Sequence, residues 1–126
     1  MIIKSIIAVE SSFREKVITK ISGSSAAGLM QVAKSTMKWL SGHPTSKGYI
    51  EIKENHVEIT QEEALFANIN IAAGTRWLIH KINTSPGRKL ENDEDKVNAG
   101  IKYYYGWTDD GQKYLEKVLK IYEKNK

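Results

Sequence analysis

Hydrophobic spacing along the chain switches between a helical and a strand-like period. Ile2, Ile3, Ile6, Ile7, Glu10 and Phe13 recur at helical spacing, so residues 2–13 are expected to form a helix with one stripe. Every member of that stripe is apolar except the glutamate. Residues 14–27 lose the period, and Ser22 to Gly28 (SGSSAAG) reads as a loop. Leu29 to Leu40 regains helical spacing and stops at Ser41-Gly42. From Tyr49 to Thr60 the period becomes two. Ile50 and Ile52, then Val57 and Ile59, alternate with polar residues around Glu54-Asn55, which predicts a β-hairpin over residues 49–60.

Thr60-Gln61-Glu62-Glu63 has the form of a capping box and places a helix start at about residue 61. The following stretch, from Ala64 to Ile82, is apolar on nearly every face, as expected of a central buried helix. Ser85-Pro86-Gly87 reads as a turn, and further helices are expected over 93–105 and 109–124. In the last helix Tyr114, Leu115, Val118, Leu119 and Tyr122 form the inward stripe. The predicted fold is mainly α: a single helical domain over residues 1–126 with one small β-hairpin.

Composition narrows the function classes. With 126 residues, 40% hydrophobic and 27% charged, the chain suits one folded domain and not a disordered or fibrous one. No apolar run approaches the ~20 residues needed to cross a bilayer. The oily first ten residues meet Glu10, Arg14 and Glu15 too soon for a signal-peptide core. The absence of cysteine excludes disulfides, thiolate zinc sites and a cysteine nucleophile. His43, His56 and His80 lack ligand spacing, so neither a metal nor a cofactor is expected. The net charge of +4 suits an anionic partner, but the lysines are scattered and no nucleic-acid-binding motif is present.

Glu10 carries the chemistry. A carboxylate held against apolar surface resists ionising, so its pKa rises. An acid still protonated near neutral pH is what protonation of a glycosidic oxygen requires. The plainer alternative is a glutamate at the stripe's edge, reaching solvent or pairing with a basic side chain.

Downstream motifs favour the first reading. Ala8-Val9-Glu10-Ser11-Ser12-Phe13, followed by Ser22 and by Gly28-Leu29-Met30-Gln31, resembles the Glu-Ser and Gly-Leu-Met-Gln motifs of soluble lytic transglycosylases, a pattern shared in part by goose-type lysozymes. Asn70-Ile71-Ala72-Ala73-Gly74-Thr75-Arg76-Trp77-Leu78 is similar to that family's Asn-Ile-x-x-Gly-x-x-Tyr-Leu helix. Val97-Asn98-Ala99-Gly100 is similar to its Tyr-Asn-Ala-Gly segment, and Tyr114 to Tyr122 resembles its closing helix. The motifs stand in family order and cover almost the whole chain.

The resemblance implies a lysozyme-like fold and cleavage of the β-1,4 bond between N-acetylmuramic acid and N-acetylglucosamine in peptidoglycan. Glu10 occupies the place of the sole catalytic acid/base, whose product is a 1,6-anhydro ring. Gln31, Met30, Gly28 and Ser22 fall where the family binds substrate, and Asn70 and Gly74 where its buried helix packs. Ser11 is expected to bond to backbone. The family's tyrosine before Asn-Ala-Gly, which bonds the catalytic glutamate, is replaced here by Val97. Tyr103 or Tyr104, with Tyr105 behind them, is expected to supply a hydroxyl instead; the alternative for these rings is packing with Trp107.

Two other outcomes follow from the same residues. A carboxylate on the predicted hairpin, Glu58 or Glu51, or one of Asp93, Glu94 and Asp95, at ~6.5–9.5 Å from Glu10 would activate water and give hydrolysis, as in a lysozyme. A chain that had lost activity would remain a glycan-binding module. The expected partner is the peptidoglycan strand, and a monomer suffices. Action in the periplasm or on the cell wall, without a visible signal segment, implies delivery within a larger protein, by a phage particle or by a contact-dependent secretion machine. A producer using such an enzyme against other bacteria would also need an immunity protein.

Overall fold

Side-chain caps start two of the helices where the periodicity places them. The Asn92 carboxamide oxygen accepts from the Asp95 N–H, and α4 runs over Asp93–Tyr105; the Thr108 hydroxyl accepts from the Gly111 N–H, and α5 runs over Asp109–Lys124. Acidic residues fill the first turn of each, where the helix dipole favours them. The computed structural model describes residues 2–21 and 24–126. Its other helices are α1 (Ile2–Ser11), α2 (Lys34–Leu40) and α3 (Ala67–Thr84), and its strands are β1 (Ile18–Ile21) and β2 (Ser24–Ala27). The protein is therefore mainly helical with one small antiparallel sheet.

Two compact units are present, one formed by the chain up to Val9 with Thr75–Lys126, the other by Glu10–Gly74. In the first, α4 packs along α5, and Ile101, Tyr114, Leu115 and Val118 are buried. The α5 stripe is legible: its buried positions recur at three- and four-residue steps while Glu116, Lys117 and Lys120 face solvent. In the second unit α2 packs on β2, and Leu29, Met30, Val32, Met37 and Leu40 are buried.

The sheet is not where the alternation predicts it. Residues 49–60 form no strands; the segment holds an isolated bridge between Pro44 and Ile50. Its apolar residues are used singly. Ile52 is buried while Ile50 stays 44% exposed, and the Val57 N–H bonds to the Leu40 carbonyl instead of to a partner strand. A two-stranded ribbon is marginal alone, so burial of individual residues against a helix end wins over pairing. The observed ribbon pairs Ile18 with Ala27 and Thr19 with Ala26. It lies within the aperiodic stretch 14–27: β2 falls in the expected Ser22–Gly28 loop, where Ser and Ala give no alternating signal, and β1 precedes that loop.

Helix limits differ for physical reasons as well. Ser12 and Phe13 have φ of 52° and 64°, left-handed values that end α1 at Ser11 instead of at Phe13. The helix expected from Leu29 begins only at Lys34, because Gln31 is also left-handed and Ala27 bridges Val32. The capping box forms reciprocally, with Glu63 N–H to Thr60 Oγ1 at 3.1 Å and Thr60 N–H to Glu63 Oε1 at 3.0 Å. It nucleates only a 3₁₀ turn over Glu63–Leu65, since Phe66 is extended, and α3 starts afresh at Ala67. The α3 helix buries one face, Asn70, Ala73, Gly74, Trp77 and Leu78, but leaves Ile79 about half exposed.

Candidate active site

Glu10 sits one residue before the end of α1, half-buried. Removal of water from its carboxyl pushes the pKa from an ordinary 4.5 up to about 8. At neutral pH the group is therefore mostly a neutral acid with a proton to give. Its neighbour Ser11 is buried, and Ser11 Oγ donates to the Leu29 carbonyl at 2.9 Å. That bond to backbone reaches across eighteen positions and ties the end of α1 to the Gly28–Gln31 turn. The Arg14 backbone N–H and its Nε–H both donate to the Ser11 carbonyl at 3.1 Å, which closes the left-handed turn after the helix.

The Gly28–Gln31 turn is held from both sides by amide groups. Gly28 has φ +75°, and a Cβ there would run into the Ala64 carbonyl and the Asn70 side chain. Asn70, on α3 and 0% exposed, accepts from the Met30 N–H at 2.7 Å and donates to the Ala27 and Ala64 carbonyls at 2.8 and 2.7 Å. Both of its N–H donors and its oxygen are thereby used on backbone. Met30 is wholly buried against Gly74, where a Cβ would approach its sulfur to 2.5 Å, so Met30 supports the turn from within.

Gln31 braces the opposite side. Its Nε2 donates to the Gly28 and Val17 carbonyls at 2.9 and 3.2 Å, and its Oε1 accepts from the Thr19 hydroxyl at 2.6 Å. The half-buried amide thus joins the turn to the start of β1. Ser22 lies outside the described residues.

The remaining expected site residues are placed as follows. Glu51 is half-buried and Glu58 exposed, both in the irregular 49–60 segment. The ribbon that does form, residues 18–27, contains no Asp or Glu. Tyr103 and Tyr104 lie half-buried on α4, in the unit that includes Thr75–Lys126. Tyr103 meets Trp107 edge to face at 6.2 Å, and Tyr105 stacks on Tyr114 at 4.9 Å. Val97 and Asn98 line an open cleft of about 440 Å³ with Ile2, Asp93, Leu119 and Tyr122.

A raised acid joined through Ser11 to a doubly braced Gly-Leu-Met-Gln turn is an arrangement to be compared with known families. The Transglycosylase SLT domain family matches residues 1–124. The chain belongs to the SLT transglycosylase family. Neither the curated proteins nor the solved structures gave a match to it. Membership supports a peptidoglycan-cleaving, lytic transglycosylase-like function in general terms, consistent with action in the periplasm or on the cell wall. Among the described residues no helix is long and apolar enough to cross a membrane.

One supporting residue, Thr19, carries no signal in the sequence, and another, Asn70, does more than the packing expected of it. Thr19 fell in a stretch without periodicity, and only its bond to Gln31 reveals its role. Asn70, expected to pack within the buried helix, also bonds three backbone groups. A buried carboxamide must satisfy three or four hydrogen-bonding positions, and that demand was the available signal that Asn70 organises backbone.

Proposed function

We propose that the protein cleaves the β-1,4 bond between N-acetylmuramic acid and N-acetylglucosamine as a lytic transglycosylase, with Glu10 as its only acid/base and residues 1–126 acting as one catalytic module. The observation that carries this reading is the carboxyl of Glu10, pushed up to about 8 by burial at the end of α1. In that state it donates its proton to the glycosidic oxygen as the bond to C1 breaks. The resulting carboxylate takes the proton of the muramoyl C6 hydroxyl while that oxygen bonds to C1. The product is a 1,6-anhydro ring, and Glu10 is again protonated.

The substrate's acetamido group stabilises the cationic centre, so no second carboxylate is required. Gln31, with its amide committed to the turn and to β1, supports the site by holding that turn, and Gly28 and Met30 support it through the same turn. Delivery to the wall by a larger protein, a phage particle or a secretion machine fits this chemistry equally. The test is release of soluble muropeptides from purified peptidoglycan. The native protein should release them and Glu10→Gln should not; a Gln variant with undiminished release would overturn the assignment.

A further inference from the structure

The segment Tyr103-Tyr104-Tyr105-Gly106-Trp107 puts four aromatic side chains into five residues, more than one helix face can bury. Tyr105 is 56% exposed despite its stack on Tyr114, and Trp107 is 43% exposed. Two lysines are held against this surface. Lys81 Nζ lies 4.6 Å from the centre of the Trp77 ring and 4.2 Å from that of Tyr103, and Lys102 Nζ lies 4.3 Å from that of Trp107. With the edge-to-face contact of Tyr103 and Trp107, these contacts make one continuous array from α3 across α4 to the loop after it. All of it belongs to the unit that includes Thr75–Lys126.

We infer that this array is a contact surface for the peptidoglycan polymer. The inference rests on the proposed substrate, and it concerns retention on the wall instead of bond cleavage. Ring faces fix the positions of both ammonium groups, so little side-chain freedom is lost when an anion binds them. The exposed indole of Trp107 offers flat apolar carbon beside those charges, on which the C–H face of a pyranose ring stacks. Peptidoglycan presents both partners together, pyranose rings along the strand and carboxylates on its peptide stems. Asp109 and Asp110 follow Trp107 on the first turn of α5 and moderate the positive field. A dense polyphosphate would be repelled by that pair, whereas a glycan with spaced carboxylates is tolerated.

The test uses the Glu10→Gln protein, so that binding is read without digestion, and purified sacculi stripped of teichoic acid. Co-sedimentation is measured for this parent, for Trp107→Ala and for Lys81→Met with Lys102→Met. Methionine keeps an unbranched apolar stem over the rings while removing the charge. Each variant should bind about ten-fold more weakly than the parent, and the lysine pair should also flatten the salt dependence. Thermal midpoints confirm that the variants are folded. Binding equal to the parent in both variants overturns the surface, as does binding seen only on walls that retain teichoic acid. Array-dependent sedimentation together with no cleavage by the native protein supports the surface while sinking the enzymatic reading.

Discussion

Replacing Glu10 by glutamine should make the fold more stable at neutral pH, even as it removes activity. The unfolded chain ionises this carboxyl from about pH 4.5, whereas the folded chain retains the proton to about 8. Between those values folding requires proton uptake, and each pH unit costs about 1.4 kcal/mol. The stability associated with the protonated acid is thus full below pH 4.5 and is lost as pH rises through 8. At pH 7 the native protein should trail the Gln variant by about 3 kcal/mol, an upper bound because a half-buried side chain is partly hydrated. Urea unfolding of both proteins at pH 4, 7 and 9 measures this. The difference should be close to zero at pH 4 and should grow with pH until it levels off above 8. A variant less stable than the native protein at pH 7, or a difference that does not change with pH, would refute the view that desolvation dominates at Glu10.

The same proton sets the rate profile. With Glu10 as general acid, kcat/KM on peptidoglycan should fall above about pH 8, and a fall beginning near pH 5 would contradict the burial argument. Asn70→Ala removes three buried hydrogen bonds, from the Met30 N–H and to the Ala27 and Ala64 carbonyls, and should cost about 3 kcal/mol in urea unfolding. Gly28→Ala meets both a left-handed φ and the Ala64 carbonyl, whereas Gly48→Ala meets a left-handed φ in open space. The first should lower stability by well over the roughly 1 kcal/mol expected of the second, and equal losses would show that the turn yields.

Legibility in the sequence followed the locality of the interaction. The starts of α4 and α5 were readable because Asn92 and Thr108 cap them within three residues. Glu10 was readable because one helical stripe exposes a misplaced charge, and its raised pKa follows from that position. Where the outcome is set outside the pattern itself, that pattern misleads. The Thr60–Glu63 box forms as written, yet Phe66 turns the chain before a helix can grow. Ile50 and Ile52 alternate correctly, but Ile52 is buried on its own and no strand forms. The ribbon at 18–27 is fixed by the Thr19–Gln31 bond and by Gly28 N–H to the Val17 carbonyl, neither of which leaves a periodic trace.

The central claim is that one carboxyl both gives and recovers the proton, with the substrate's own hydroxyl as nucleophile. Mass analysis of the muropeptides released from purified peptidoglycan tests it most directly. The account predicts products lighter by one water than hydrated muropeptides, bearing 1,6-anhydro ends, and none from Glu10→Gln. Products with reducing ends would contradict it, because they show that water, and not the muramoyl C6 hydroxyl, attacked C1.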